Sequence, residues 1–260
     1  MRKYKFLRSR HKIEIDITWQ CNLKCFDCNR CCGTSPTGER MSVDQIERFI
    51  AESNLNSYKW KIIRLVGGEP TLHPDFPTIV RLLLTYRDSF YEKDKPKIIV
   101  CTNGYSNKTK KILSELPCEI IIDNSNKSSE NVAHIGHFNM APIDIRDTSK
   151  DDFTLACTNT TYCGMGLTPN GYYHCPVAGS IDRIFGKNLG YKKLPEQVDE
   201  MDNLKQEFCK LCGFYDMDDT KVVPSIDNIK LLDSQPTISS SWKQALRDIK
   251  IQGRHKLTRY

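Results

Sequence analysis

Along the first half of the chain, short apolar runs end at polar turns and give way to stretches with helical spacing. Ile13, Ile15 and Ile17 alternate with Glu14 and Asp16, the period of a strand with one buried face. That strand leads directly into Cys21. Ser42 and Gln45 stand at capping-box spacing, and Ile46, Phe49 and Ile50 follow on one helical face. The unit then repeats. The run Ile62 to Val66 meets the turn Gly67-Gly68-Glu69-Pro70, and Ile79, Leu82, Leu83 and Tyr86 recur at helical spacing. Ile98-Ile99-Val100 meets Thr102-Asn103-Gly104, a helical stretch covers 110–116, and the run 119–122 ends at Asp123. Strands alternating with helices predict a parallel sheet of βα units. Ligand sites in such sheets gather beyond the carboxyl ends of the strands, where each of these turns falls.

Around residue 155 the texture changes to cysteines and turns, with a hairpin signal at Pro169-Asn170-Gly171 between Leu167-Thr168 and Tyr172-Tyr173. The end of the chain reads as one more helix, with Ser241 and Gln244 as a capping box and Trp242, Ala245, Leu246 and Ile249 on one face. The expected fold class is α/β: a partial, abbreviated TIM-like βα barrel with a parallel sheet over residues 1–154, followed by a small cysteine-rich region over 155–220. A helical tail over 221–260 completes the chain.

The 260 residues carry a net charge of +6, and its distribution matters more than its size. Residues 1–12 hold six Lys/Arg and no acid, and residues 243–260 hold six against Asp248. The body between them is therefore net acidic, and the basic ends read as solvated surface. No run approaches the ~18 apolar residues of a membrane span, and the N-terminus lacks the apolar core of a signal peptide. The expected compartment is the cytoplasm, where 12 cysteines point to metal binding rather than disulfides.

Cys21, Cys25 and Cys28 lie within eight residues at the end of the first strand. A closed zinc site needs four ligands, whereas three thiolates on one loop suit an iron–sulfur cubane with one iron left open. The spacing Cys-x3-Cys-x2-Cys, followed by Gly67-Gly68-Glu69 at the next strand end, resembles the radical S-adenosylmethionine (SAM) superfamily. The resemblance implies a [4Fe–4S] cluster on Cys21, Cys25 and Cys28 that binds SAM and cleaves it reductively to a 5′-deoxyadenosyl radical. It also implies that Gly67, Gly68 and Glu69 receive the methionine ammonium, Glu69 through its carboxylate. Members usually carry an aromatic residue before the third cysteine, where this chain has Asp27, with Phe26 one position earlier. Backbone groups of Asp27 are expected at the adenine. Thr102, Asn103, Asn124 and Ser125 stand where the family often contacts the ribose and carboxylate.

Cys157, Cys163, Cys175, Cys209 and Cys212 follow residue 155, and four of them could close a second site, for a cluster or for zinc. Their order resembles the SPASM/twitch branch of the superfamily. The branch implies an auxiliary [4Fe–4S] cluster on Cys175, Cys209 and Cys212 with Cys163 as leading ligand, Cys157 being the alternative. Cys101 and Cys118 read as small core residues. Cys31 and Cys32, just past the cluster loop, are candidate hydrogen-atom donors, and Asp144 and Arg146 are candidate substrate contacts near the barrel mouth.

The resemblance implies an oxidoreductase that abstracts hydrogen from its substrate, with two-electron oxidation of a small polar sugar- or cyclitol-like metabolite ranked first. Maturation or epimerisation of a ribosomally made peptide is the alternative. It ranks lower because the first strand begins near residue 12 and leaves no room for a leader-binding domain ahead of it. A non-catalytic iron–sulfur or zinc module is the third reading. An electron donor such as flavodoxin or ferredoxin is the expected partner, with neither membrane nor nucleic acid.

Overall fold

The computed structural model describes residues 4–25, 27–34, 38–129, 138–216 and 238–260. The expected α/β architecture is present as one six-stranded sheet in the order β4-β3-β2-β1-β5-β6. Strands β1 (Lys12–Thr18), β2 (Ile62–Gly67), β3 (Lys97–Thr102) and β4 (Ile120–Asn124) run parallel. Between them run α1 (Val43–Leu55), α2 (Phe76–Asp88) and α3 (Asn107–Ser114). The sheet is an open, partial version of the barrel.

The starts of α1 and α3 follow from their sequence. Ser42 and Gln45 form the expected capping box on α1. The Ser106 hydroxyl accepts from the Thr109 amide at the start of α3. Ile13, Ile15 and Ile17 are fully buried and join Ile46, Phe49, Ile79 and Leu83 in the main core. Glu14 and Asp16, expected on an open face, are buried as well. Both faces of β1 are therefore covered, one by helices and the other by the cysteine loop.

Beyond β4 come the short helices α4 (Pro142–Ile145) and α5 (Thr158–Tyr162). The predicted hairpin follows, with β5 (Met165–Thr168) antiparallel to β6 (Gly171–Tyr173). This hairpin does not stand apart from the first region, because β5 pairs in parallel with β1. α6 (Pro176–Phe185), α7 (Asp202–Phe208) and α8 (Ser240–Gln252) complete the chain.

α8 begins two residues earlier than the sequence pattern indicates. Its N-cap is Ser239, and the Ser241 amide and hydroxyl both donate to the Asp144 carboxylate, at 2.8 and 2.6 Å, in place of a capping box with Gln244. Trp242 is buried and donates its indole N–H to the Leu211 carbonyl at 2.7 Å. The N-terminal basic residues are less solvated than their composition implies. Arg8 is buried, with its guanidinium donating to the Glu196 and Asp199 carbonyls, while Arg10 pairs with Glu200 and Lys5 with Asp202. No helix among the described residues is long and apolar enough to cross a membrane.

Candidate active site

The loop after β1 is held against the turn after β2 by backbone hydrogen bonds. The Gly68 amide donates to the Thr18 carbonyl and the Glu69 amide to the Gln20 carbonyl, each at 2.8 Å. This approach requires glycine. Gly67 has φ +123°, and a Cβ on Gly68 would sit 2.1 Å from the Gln20 carbonyl oxygen. The two sequence motifs thus form one piece of structure. Beside it lies a cavity of about 470 Å³ lined by Cys21, Cys25, Cys28, Gly67, Gly68, Thr102, Asn103 and Ser125.

Glu69 lies behind this surface. Its carboxylate is fully buried and accepts from the Thr71 amide and hydroxyl, the Thr102 hydroxyl and the Asn103 amide. Such a charge-assisted set fixes the turn to the end of β3. Asn103 reaches back to the cysteine loop, its side-chain amide donating to Asn22 at 2.8 Å and lying 3.8 Å from the Cys21 sulfur.

Among the described residues of the cysteine loop, two non-glycine residues have left-handed backbone, Asp27 at φ 51° and Cys31 at φ 53°. Asp tolerates that conformation better than most residues, but a cysteine there stores strain. Asp27 turns its carboxylate to Asn139, 3.2 Å away, and does not line the cavity. Phe26 lies outside the described residues. A hydrogen bond from the Cys32 thiol brings the Cys28 thiol down to about 6 despite its burial, while burial pushes Cys21 up to about 11.

Arg30, two residues past Cys28, is buried and donates to Asp16 at 3.0 Å and to Glu14 at 2.5 Å. It ties the cysteine loop to β1. Burial raises the Asp16 carboxyl to about 6, with Arg30 opposing the rise. Glu14 turns its other oxygen to Arg64, 3.5 Å away, and Arg64 lies 3.9 Å from Asp123. Glu14, Arg64, Asp123, Lys127, Cys101 and Cys163 line the same cavity. Sequence reasoning missed this charged wall. The available signal was polar residues at alternating positions in parallel strands, which ordinarily read as continuous apolar runs.

Among the remaining candidates, Cys32 lines the cavity, whereas Cys31 is buried in the main core. Asn124 packs against Gly104 and accepts from the Asn126 amide. Asp144 caps α8, and Arg146 sits at the surface with Asp216 and Asp151. Neither reaches the cavity, because α4 directs both toward the C-terminal half. Cys101 was expected in the core but faces the cavity, and Cys118 is exposed.

The second group of cysteines divides in two. Cys157, Cys175, Cys209 and Cys212, all buried, line one small enclosed pocket. Cys163 instead lines the large cavity. The reason is α5. Cys157 is its N-cap and Cys163 its C-cap, so the short helix sends one thiol to each side. Cys175 is the N-cap residue of α6, and burial pushes its thiol up to about 12. Burial raises Cys209 and Cys212 well above the ordinary thiol value. Four thiols and no carboxylate form a soft donor set suited to iron–sulfur or zinc. Among the described residues, no group of three or more His, Cys, Asp or Glu side chains closes tightly enough to hold a single metal ion.

Comparison with known proteins bears on the first site. The chain is 35% identical over 79 residues to a probable GTP 3′,8-cyclase of Methanococcus vannielii, covering 30% of this chain and 26% of that protein. It is 31% identical over 106 residues to a GTP 3′,8-cyclase of Vibrio atlanticus, covering 39% and 29%. The chain thus spans less than a third of the length of these relatives. Among solved structures, BtrN in complex with AdoMet and 2-DOIA aligns with 82% of this chain and 89% of its own at 13% identity and a TM-score of 0.42. Streptococcus suis SuiB bound to S-adenosylmethionine aligns with 43% and 24% at 22% identity and a TM-score of 0.31. The Radical SAM superfamily model matches residues 15–119, the stretch that holds the cysteine loop and the glycine turn, and the chain therefore carries a radical SAM domain.

Proposed function

We propose that the chain is a radical SAM enzyme in which Cys21, Cys25 and Cys28 hold a [4Fe–4S] cluster, with SAM and a small polar substrate bound in the adjoining cavity. One observation carries this reading: the three thiols, the glycine turn and the ends of β3 and β4 share a single space of about 470 Å³. When bound, the cluster supplies the electron that cleaves SAM to a 5′-deoxyadenosyl radical, which removes a hydrogen atom from the substrate. The chain's own residues position the reactants. Gly67 and Gly68 leave backbone bare at the cavity wall, Thr102 and Asn103 fix the turn through Glu69, and Glu14, Arg64 and Asp123 offer polar contacts to the substrate.

Cys157, Cys175, Cys209 and Cys212 are assigned to an auxiliary [4Fe–4S] cluster, with Cys157 rather than Cys163 as the leading ligand because it shares the pocket of the other three. Held there, such a cluster would supply an acceptor for the second electron of a two-electron oxidation of a sugar- or cyclitol-like metabolite. A second reading is epimerisation of a peptide by return of a hydrogen atom. It is favoured by the Cys32 thiol, which lies in the cavity. Flavodoxin or ferredoxin is the proposed electron donor.

Anaerobically reconstituted protein given a reductant and SAM should release 5′-deoxyadenosine, and Cys21→Ala, Cys25→Ala and Cys28→Ala should each abolish the release. Normal cleavage in all three variants would overturn the reading. Turnover in deuterated water with sugars, cyclitols, peptides and GTP then separates the reactions. Product lighter by two hydrogens supports oxidation, and one deuterium incorporated at unchanged composition supports epimerisation.

A further inference from the structure

His174 links β6 to Cys175 and is directed into the pocket of four thiols. The residue is 1% exposed and lines that pocket beside Cys157, Cys175, Cys209 and Cys212. Its Nε2 stands 3.6 Å from the Cys209 sulfur, while its Nδ1 is buried without a hydrogen-bond partner. A metal-bound thiolate offers only lone pairs, so the nitrogen facing it carries the hydrogen. Nδ1, which no donor approaches, is then the bare nitrogen of a neutral ring.

The rest of the wall is largely apolar, with Val177, Ala178, Ile181 and Phe208 facing the thiols. A dry wall of this kind disfavours the extra negative charge that reduction adds to a cluster. An N–H directed at a ligating sulfur acts in the opposite sense, because charge added on reduction spreads onto the sulfurs. Such hydrogen bonds are among the factors that set cluster potentials, and in a low-dielectric pocket each one counts for more.

We propose that His174 donates its Nε2–H to the Cys209 thiolate and so raises the reduction potential of the cluster held by the four thiols. This rests on the auxiliary-cluster reading above. His174 is then a positioning and tuning residue, neither a ligand nor a group that touches substrate.

The test uses the full chain with Cys21, Cys25 and Cys28 replaced by Ala, so that any remaining iron and its spectrum belong to the auxiliary site. Iron content and the midpoint potential, followed by electron paramagnetic resonance, are measured with His174 and in the His174→Leu, His174→Phe and His174→Gln variants. Iron content should be unchanged, Leu and Phe should shift the midpoint to more negative values, and Gln, which retains an N–H, should restore part of the shift. An unchanged midpoint in the Leu and Phe variants would overturn the proposal. Loss of the iron in all three would also overturn it, by making His174 a ligand. Absence of iron from the protein that retains His174 would instead defeat the auxiliary-cluster reading, and this proposal with it.

Discussion

The cysteine loop after β1 and the thiol pocket behind α5 draw on the same side chain but house it in opposite ways. Cys21, Cys25 and Cys28 come from one short loop, are partly exposed and border a cavity of about 470 Å³. Cys157, Cys175, Cys209 and Cys212 come from three separate stretches, are buried, and enclose almost no free volume. The first arrangement keeps room for a second molecule beside its thiols. The second leaves room for little beyond what the thiols hold. An open site suits chemistry on a bound ligand, and a closed one suits storage of charge.

The division of the cysteines offers the most severe test of that contrast. Cys157→Ala should cost the reconstituted protein about half its iron, if each site holds one cubane, whereas Cys163→Ala should leave the iron intact. The reverse pattern would move Cys163 into the closed site. Replacing Cys175, Cys209 and Cys212 together should remove the same half while leaving some cleavage of SAM, and recovery of zinc with no loss of iron would defeat the second cluster.

A smaller effect is expected at Arg30, which joins the open site to β1. Arg30→Leu strands Asp16 as a buried carboxylate without its ion pair and leaves Glu14 with Arg64 alone, and such losses cost roughly 3–5 kcal/mol. Denaturant unfolding of the reconstituted protein measures it. A change below about 1 kcal/mol, the ordinary value of an exposed pair, would show that the loop is not anchored there.

The smallest effect is a pH dependence. Asp16 titrates at about 6 in the folded protein, above its ordinary 3.8, so the folded state binds this proton more tightly than the unfolded chain. Its contribution to stability is full below the ordinary value and is lost as pH rises through 6. Asp16→Asn should therefore flatten the change in melting temperature between pH 4 and 6. Equal slopes in the two proteins would place the titration elsewhere.

The open site was legible in the sequence because its parts are local. Three cysteines on one loop and a double glycine at the next strand end fix each other's positions through backbone bonds that the bare glycines permit. The closed site was legible only as a set of five. The choice between Cys157 and Cys163 depends on the length and direction of α5, which spacing alone does not reveal. The charged wall escaped for another reason. Alternation of Ile13, Ile15 and Ile17 with Glu14 and Asp16 implies a wet face, and only the fold shows Arg30 covering it. Asp144 and Arg146 were misplaced because α4 points away from the strand ends, which chain order near the cavity could not indicate.

The pairing of β5 with β1 also bears on how the chain is made. β1 is synthesised well before its second neighbour, which lies some 150 residues later, at Met165–Thr168. Until that stretch emerges, β1 is an apolar edge with unpaired amides and carbonyls, the kind of surface on which chains aggregate. Closing so long a loop is slow. A chain cut after residue 154 would keep every residue of the cysteine loop and still expose this edge, so the radical SAM half should be poorly soluble when produced alone.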